Sequence, residues 1–317
     1  MKVLVTDAEY AALDIEAHVL TAAGHELLTA RCTTPDEVIA AAQGVDAVIV
    51  QYAPITAEVL DALPQLRLVS RYGVGIDIVD AEAARARGVW VCNVPDYGTT
   101  EVALHAVAML LSLLRNLTGH DREVRAGRWN YQLGGKLYRP TTLTLGVVGL
   151  GRIGRMTMRS AAPWFGRCVG YDPHLPDDAW PSGVERLGLD ELFSASNAVT
   201  LHLPLTDQTR GLVGADLVSR MPAGSYLVNT ARGGLVDLDA ALQGLEAGTL
   251  AGVALDVLPE EPPTDGHPLL THPRALLTPH TAWYTEEAEA ELRRKAALNI
   301  VDWARTGRPT YPVVEGR

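Results

Sequence analysis

The stretch LTLGVVGLGRIGRM, residues 143–156, decides the fold. It starts as an apolar, β-type run and passes through Gly149-Leu150-Gly151-Arg152-Ile153-Gly154 into a segment of helical character. A bare GxGxxG says little. A strand before it and a helix after it supply the context in which the spacing has a mechanism. Gly149 makes the tight turn, Gly151 lacks the Cβ that would hold a pyrophosphate off the backbone, and Gly154 lets the helix lie close to the strand. Arg152 and Ile153 then stand in the first helical turn, whose unpaired N–H groups and positive dipole end attract phosphate. After the next apolar run, RCVGYD, comes Asp172, 23 residues beyond Gly149. An acidic residue at roughly that distance accepts hydrogen bonds from the adenosine ribose and repels a 2′-phosphate. The following PHLPDD has no arginine or lysine, so the pattern selects NAD over NADP.

Working outward, NAVTLHL, SYLVNT, GVALDV and ALLTPH repeat the apolar run between helical stretches. With the first two runs they predict six strands after residue 140, a complete dinucleotide-binding sheet. Upstream, KVLVT, VDAVIV, LRLVS and VWVCNV alternate with alanine-rich helical segments such as DIEAHVLTAAG. That is a second series of βαβ units. TEVALHAVAMLLSLLRNL, residues 100–117, reads as a long buried connecting helix, and AGRWNYQLGGKLYRPTT as a loop. A last helix over 285–306 is expected to pack back on the N-terminal part. The expected fold is therefore α/β, with two Rossmann-like domains built on parallel sheets, the first discontinuous. Residues 1–99 plus 284–317 form a substrate-binding domain, and 100–283 the NAD-binding domain.

Composition agrees with this. The 317 residues are 47% hydrophobic, enough for two cores. A net charge of −11 speaks against nucleic acid or an anionic membrane as a main partner. No apolar run reaches the roughly 18 residues of a membrane span, and MKVLVTDAEY has no signal-peptide core. Cys32, Cys92 and Cys168 are odd in number and scattered, without metal or disulfide spacing. A cytoplasmic protein without a metal is expected.

In LLTPHTAWYT, residues 276–285, His280 follows a proline at the end of a β-type run, and Trp283 follows it. A loop histidine is ordinarily a solvated polar residue. The rest of the chain alters that reading. RYGVGID, GLGRIG, LVNTARGGLVD, GVALDVLPEEPP and TPHTAW occur in order over nearly the whole chain. Together they resemble the D-isomer-specific 2-hydroxyacid dehydrogenases. VCNVPDYGTTEVALHA and TPHTAWYTEE resemble the C-terminal-binding-protein-like branch, related to phosphoglycerate dehydrogenase and to glyoxylate and hydroxypyruvate reductases.

The resemblance implies a catalytic set of Arg232, Glu261 and His280. Its chemistry is coherent. His280 can give a proton to a forming alkoxide and reclaim it in oxidation. Glu261 would orient the imidazole and favour its protonated form. Arg232 offers a planar fork for a carboxylate and the adjacent carbonyl. Each follows a predicted strand, on the edge where open α/β sheets bind ligands. The resemblance further implies that Asp256 accepts from the nicotinamide carboxamide. Thr230 and Ala231 would contact the cofactor through their backbone, and His202 would lie near it. The loop Tyr72, Gly73, Val74 and Gly75 would hold the substrate carboxylate through backbone N–H groups. Arg71 would face the substrate, and Tyr52 and Trp283 would line the pocket.

One departure stands out: Leu104 occupies a position where relatives carry an acid. Formate dehydrogenases have glutamine where this chain has Glu261. The implied activity is NAD-dependent interconversion of a 2-keto acid and a D-2-hydroxy acid, with hydride exchanged at C4 of the nicotinamide. The alternative is an NADH-responsive binding protein. Glyoxylate, hydroxypyruvate, phospho- or phosphono-bearing and apolar-tailed acids all remain open as substrates. A homodimer is implied, with contacts in residues 100–140.

Overall fold

The computed structural model describes residues 1–264 and 266–317. The short runs rich in Val, Ile and Leu form strands, because such side chains fit a pleated surface covered on both faces. The chain divides into two units, Met1–Gly98 with Tyr284–Arg317, and Thr99–Trp283.

In the first unit, β1 (Lys2–Val5), β2 (Glu26–Thr29), β3 (Ala47–Val50), β4 (Leu68–Arg71) and β5 (Trp90–Cys92) pair in parallel, in the order β2-β1-β3-β4-β5. This is one of the two common doubly wound orders. The strand Pro312–Val314 adds to the β5 edge in antiparallel sense. The helix Glu286–Thr306 packs on the helix Asp14–Ala22. It is capped by Thr285, whose side chain accepts from the Ala288 N–H at 3.0 Å. Its buried face includes Leu292, Ala296, Ala297 and Ile300, a helical spacing.

In the second unit, β6 (Thr144–Val148), β7 (Arg167–Tyr171), β8 (Glu185–Arg186), β9 (Ala198–Leu201), β10 (Ser225–Asn229), β11 (Leu250–Leu255) and β12 (Ala275–Leu277) are all parallel. The order is β8-β7-β6-β9-β10-β11-β12. Counted from β6, that is the dinucleotide-binding order 3-2-1-4-5-6 with one further strand. Strand β6 explains its own apolar run. Leu145 and Val147 pack with Met109, Leu110 and Leu114, while Val148 packs on the other face with Phe193, Leu217 and Leu227.

Three strands lie outside the sequence expectation. The sheet of the second unit has seven strands rather than six, the extra one being β8, whose two residues are both exposed. β2 and Pro312–Val314 were not expected either. All three are edge strands, where no continuous apolar run is required. The helix expected over 100–117 is Thr99–Arg115. It stops at Asn116, which has φ 45°, and a second helix, Leu117–Arg125, follows at a bend of 58°. Asn116 Nδ2 donates to the Gly134 carbonyl at 2.9 Å, which fixes the break. The expected loop carries two short 3₁₀ turns, Tyr131–Gly134 and Pro140–Thr142. Leu104 is 66% exposed. Cys32, Cys92 and Cys168 are free thiols.

Candidate active site

The register of the second sheet sets Tyr171, Val148, Leu201, Asn229, Leu255 and Leu277 in one row across six strands. Because the strands are parallel, the chain leaves each at the same edge. Asp172, Gly149, His202, Thr230, Asp256 and Thr278 come next along the chain, and Arg232 and His280 stand two residues further on. Residues scattered over more than a hundred positions thus share one sheet edge.

The glycine turn fits a dinucleotide, each glycine for its own reason. Gly149 has φ 87°, and a Cβ there would lie 2.5 Å from the His202 carbonyl oxygen. A Cβ on Gly154 would lie 1.9 Å from the Gly149 carbonyl oxygen. A Cβ on Gly151 would meet nothing within 4 Å, so that position is open for a ligand at the N-terminus of the helix Arg152–Ala161. Arg152 is exposed and Ile153 half-buried in its first turn. Asp172 Oδ2 accepts from the Leu150 N–H at 2.8 Å, and Oδ1 from those of His174 and Leu175 at 2.9 and 3.1 Å. The carboxylate therefore also fastens the glycine turn to the end of β7. His202 packs against this turn. Its Nε2 lies 2.9 Å from Thr200 Oγ1, and burial pushes its pKa down to about 3, so the ring is neutral. Among the described residues Thr230 Oγ1 is buried without a hydrogen-bond partner, an unmet polar group in the same row. The Ala231 N–H is already given to Asn229 Oδ1 at 3.0 Å.

Two bonds, one from Asn229 and one from Arg232 itself, shape the Arg232 turn. Asn229 Nδ2 donates to the Arg232 carbonyl at 2.8 Å, and Arg232 Nη1 donates to the Ala231 carbonyl at 2.8 Å. Gly233 permits a close approach, since a Cβ there would lie 1.9 Å from the Leu258 carbonyl carbon. That approach brings the Arg232 turn against the segment carrying Glu261. Glu261 Oε1 accepts from the Leu258 N–H at 2.7 Å, and Oε2 lies 2.6 Å from His280 Nδ1. Burial alone would raise the Glu261 pKa. The His280 bond and charge, the Leu258 amide and the Arg232 charge outweigh it and hold the carboxyl below its ordinary value. An ionised Oε2 can only accept, so Nδ1 carries a proton and Nε2 is the nitrogen free to exchange one. His280 has φ 51°, uncommon for a non-glycine residue. Its N–H donates to the Asp256 carbonyl at 2.7 Å. The Asp256 carboxylate, 1% exposed, accepts from the Thr281 and Ala282 N–H groups at 2.9 and 3.0 Å. Trp283 follows this turn half-buried.

In the first unit, Val50 and Arg71 are register partners, so Tyr52 and the 71–75 loop follow neighbouring strand ends. The Gly73 carbonyl accepts from the Val94 N–H at 2.9 Å and the Val74 carbonyl from Asn93 Nδ2 at 2.6 Å. Among the described residues none accepts from the N–H groups of Gly73, Val74 or Gly75. That leaves a row of donors suited to a carboxylate. Tyr72 serves the loop from beneath. Its N–H donates to the Val50 carbonyl at 2.9 Å and its hydroxyl to the buried Glu16 at 2.8 Å. Tyr52 is 45% exposed.

The family model for the NAD-binding domain of D-isomer specific 2-hydroxyacid dehydrogenases matches residues 107–282, which contain the glycine turn and the Arg232, Glu261 and His280 cluster. The chain belongs to the D-isomer-specific 2-hydroxyacid dehydrogenase family. It is 35% identical to the D-3-phosphoglycerate dehydrogenase of Methanocaldococcus jannaschii over 95% of this chain and 56% of that protein. The chain thus spans little more than half the length of that relative. It is 34% identical to the glycerate dehydrogenase of Methylorubrum extorquens, over 84% of this chain and 85% of that one. Among solved structures, the NAD-dependent formate dehydrogenase from Staphylococcus aureus in complex with NAD matches with a TM-score of 0.89 at 31% identity, over the whole of both chains.

The second unit thus carries the family's NAD-binding domain. Sequence reading missed three residues that shape its site: Asn229, which ties the Arg232 turn, and Thr278 and His105, which contact Asp256 and each other. Thr278 lay in a quoted motif with no role attached. His105 likewise lay in the quoted VCNVPDYGTTEVALHA with no role attached, since its partners lie more than 150 residues away.

Proposed function

We propose that this chain interconverts a 2-keto acid and a D-2-hydroxy acid with NAD, using His280 as the proton donor and acceptor. The observation that carries the reading is the 2.6 Å contact of His280 Nδ1 with Glu261, on the sheet edge that also holds the glycine turn. Bound NADH supplies the hydride from C4 of its nicotinamide. In reduction, doubly protonated His280 gives its Nε2 proton to the substrate oxygen as negative charge develops there. In oxidation the neutral ring takes it back. Glu261, kept ionised, stabilises the imidazolium form. Arg232 pairs with the substrate carboxylate and polarises the neighbouring carbonyl. The N–H groups of 73–75, with Arg71, Tyr72 and Tyr52, make up the substrate side in the first unit. Asp256 Oδ2 accepts one protein N–H and keeps capacity for the nicotinamide carboxamide. Thr230 and Ala231, which follow β10 at that edge, would meet the cofactor through their backbone. A substrate that exchanges a proton suits the Glu261–His280 pair better than formate does.

For the substrate tail, Trp283 supports an apolar group. Each buried CH₂ contributes about 0.8 kcal/mol, so two or three favour such a keto acid over glyoxylate by ~10-fold or more. The similarity to a phosphoglycerate dehydrogenase favours a second reading, in which Arg71 pairs with an anionic tail. NADH consumption with apolar-tailed, phospho- and unsubstituted keto acids, in the unmodified enzyme, Trp283→Ala and Arg71→Ala, separates them. The apolar reading fails if Trp283→Ala leaves the preference unchanged. Absence of turnover with every acid would turn the assignment toward an NADH-responsive binding protein.

We infer a homodimer as well. Leu117, Val124, Trp129, Tyr131, Leu133 and Tyr138 are exposed within one segment of the second unit, a concentration of apolar surface that suits a second copy. Light scattering of Trp129→Ser/Tyr131→Ser should read a monomer. The free thiols support a reducing, cytoplasmic setting.

A further inference from the structure

One titratable side chain of the NAD-binding unit has no part in the chemistry above. His105 lies in the mostly apolar helix Thr99–Arg115, its imidazole 24% exposed. Its Nε2 lies 3.0 Å from Thr278 Oγ1 and 3.6 Å from Asp256 Oδ1. Thr278 Oγ1 lies 2.5 Å from the same Asp256 oxygen. A carboxylate oxygen accepts, so the Thr278 hydroxyl proton points to Asp256. The hydroxyl is then left to accept from His105, which puts an imidazole proton on Nε2. The result is a directed chain, His105 Nε2–H to Thr278 O–H to Asp256. It ends on the carboxylate that receives the N–H groups of Thr281 and Ala282, in the residue whose carbonyl receives the N–H of His280.

We propose that His105 is a positioning residue for proton transfer: through Thr278 it orients Asp256, and Asp256 holds the 278–282 turn that presents His280 to Glu261. The proposal rests on His280 being the acid–base group. A non-glycine residue at φ 51° persists only where its surroundings over-determine it, and here the bonds that do so converge on Asp256. Removing the far end of the chain leaves the Thr278 hydroxyl free to turn from Asp256, whose carboxylate then keeps only the Thr281 and Ala282 N–H groups. The tolerance at His280 is small, because a misplacement of about 1 Å can lower a rate ~10²-fold.

The test uses His105→Leu, His105→Gln, Thr278→Val and the Leu/Val double variant, with thermal unfolding followed in each. In His105→Leu, kcat should fall ~10- to 100-fold, while the dissociation constant for NADH, read by fluorescence, stays within about twofold. The isotope effect with NADH deuterated at the transferred position should rise, because the chemical step has slowed. Glutamine can present an amide N–H near the place of Nε2, so His105→Gln should recover most of the rate. Thr278→Val should match His105→Leu, and the double variant should fall no lower than either, as expected for one chain. Unmodified turnover in His105→Leu or in Thr278→Val would overturn the proposal. So would a His105→Gln rate as low as that of the leucine variant, multiplicative losses in the double variant, or a loss of NADH binding that accounts for the fall in rate. If His105→Leu fails to fold, Thr278→Val and His105→Gln decide it. His280→Ala separates the two levels. Retained turnover there refutes the acid–base reading itself, whereas loss there with an active His105→Leu refutes only the positioning role.

Discussion

At the scale of single residues, His280 combines an uncommon backbone conformation with a short contact to Glu261. Its replacement by alanine should lower turnover by roughly 10²- to 10⁴-fold in both directions, the scale of a positioned acid–base group. Glu261→Gln should be milder and should move the pH profile. The carboxyl is held below its ordinary value, so it is charged throughout the working range. A neutral amide in its place no longer favours the cationic form of an acid–base partner. Reduction needs the protonated ring, so its alkaline limb should shift down, and the acidic limb of oxidation should shift the same way. Limbs that stay put would show that Glu261 is not the partner. Asp172 should give NADH an advantage over NADPH of at least ~10-fold, about 1.4 kcal/mol. Because Asp172 also accepts from the Leu150 N–H, Asp172→Ala should narrow that ratio mainly by weakening NADH. Equal KM values for the two cofactors in the unmodified enzyme would refute the role.

At the scale of elements, the turn between β6 and its helix separates two effects that a sequence motif merges. Gly151→Ala adds a methyl to open space, so thermal stability should hold while NADH affinity drops. Gly154→Ala drives a Cβ to 1.9 Å from a backbone oxygen, and the helix must move. It should lose roughly 1–3 kcal/mol of stability, the scale of overpacking, together with NADH affinity. Differential scanning of the two variants checks this, and equal melting temperatures would contradict it. The strand–turn–helix unit was legible because a covered parallel strand must be apolar on both faces. The helix Glu286–Thr306 was legible because Thr285 caps an amphipathic run. Strand β8 was not, since its two residues are charged and exposed on a sheet edge and make no apolar run.

At the scale of the whole molecule, buried His202 makes stability depend on pH. Its folded-state pKa is about 3, and its ordinary value is 6.5. Above pH 6.5 both states are neutral there and nothing changes. Below it the unfolded chain takes up a proton that the folded ring refuses, so stability falls as pH falls toward 3. The slope is at most about 1.4 kcal/mol per pH unit, the limit for one proton taken up by the unfolded chain alone. His202→Asn should flatten the decline of urea-unfolding midpoints between pH 6.5 and 5. An unchanged slope would mean that other groups govern it.

The sequence by itself determined the two α/β series, the glycine turn, Asp172 and the order of the Arg232, Glu261 and His280 motifs. The strands and the glycine turn depend on local spacing, on the periodicity of a covered strand, or on a turn that only glycine satisfies, while the Arg232, Glu261 and His280 set followed from the resemblance of their motifs to the dehydrogenase family. Tertiary structure alone decided which groups meet. The Glu261 contact to His280 and the chain from His105 through Thr278 to Asp256 join segments by hydrogen bonds of 2.5–3.0 Å. The reason is physical. Apolar patterning sets where a strand runs, but a hydrogen bond depends on positions to within a few tenths of an ångström, and strand register and side-chain packing fix those only once the sheet is assembled.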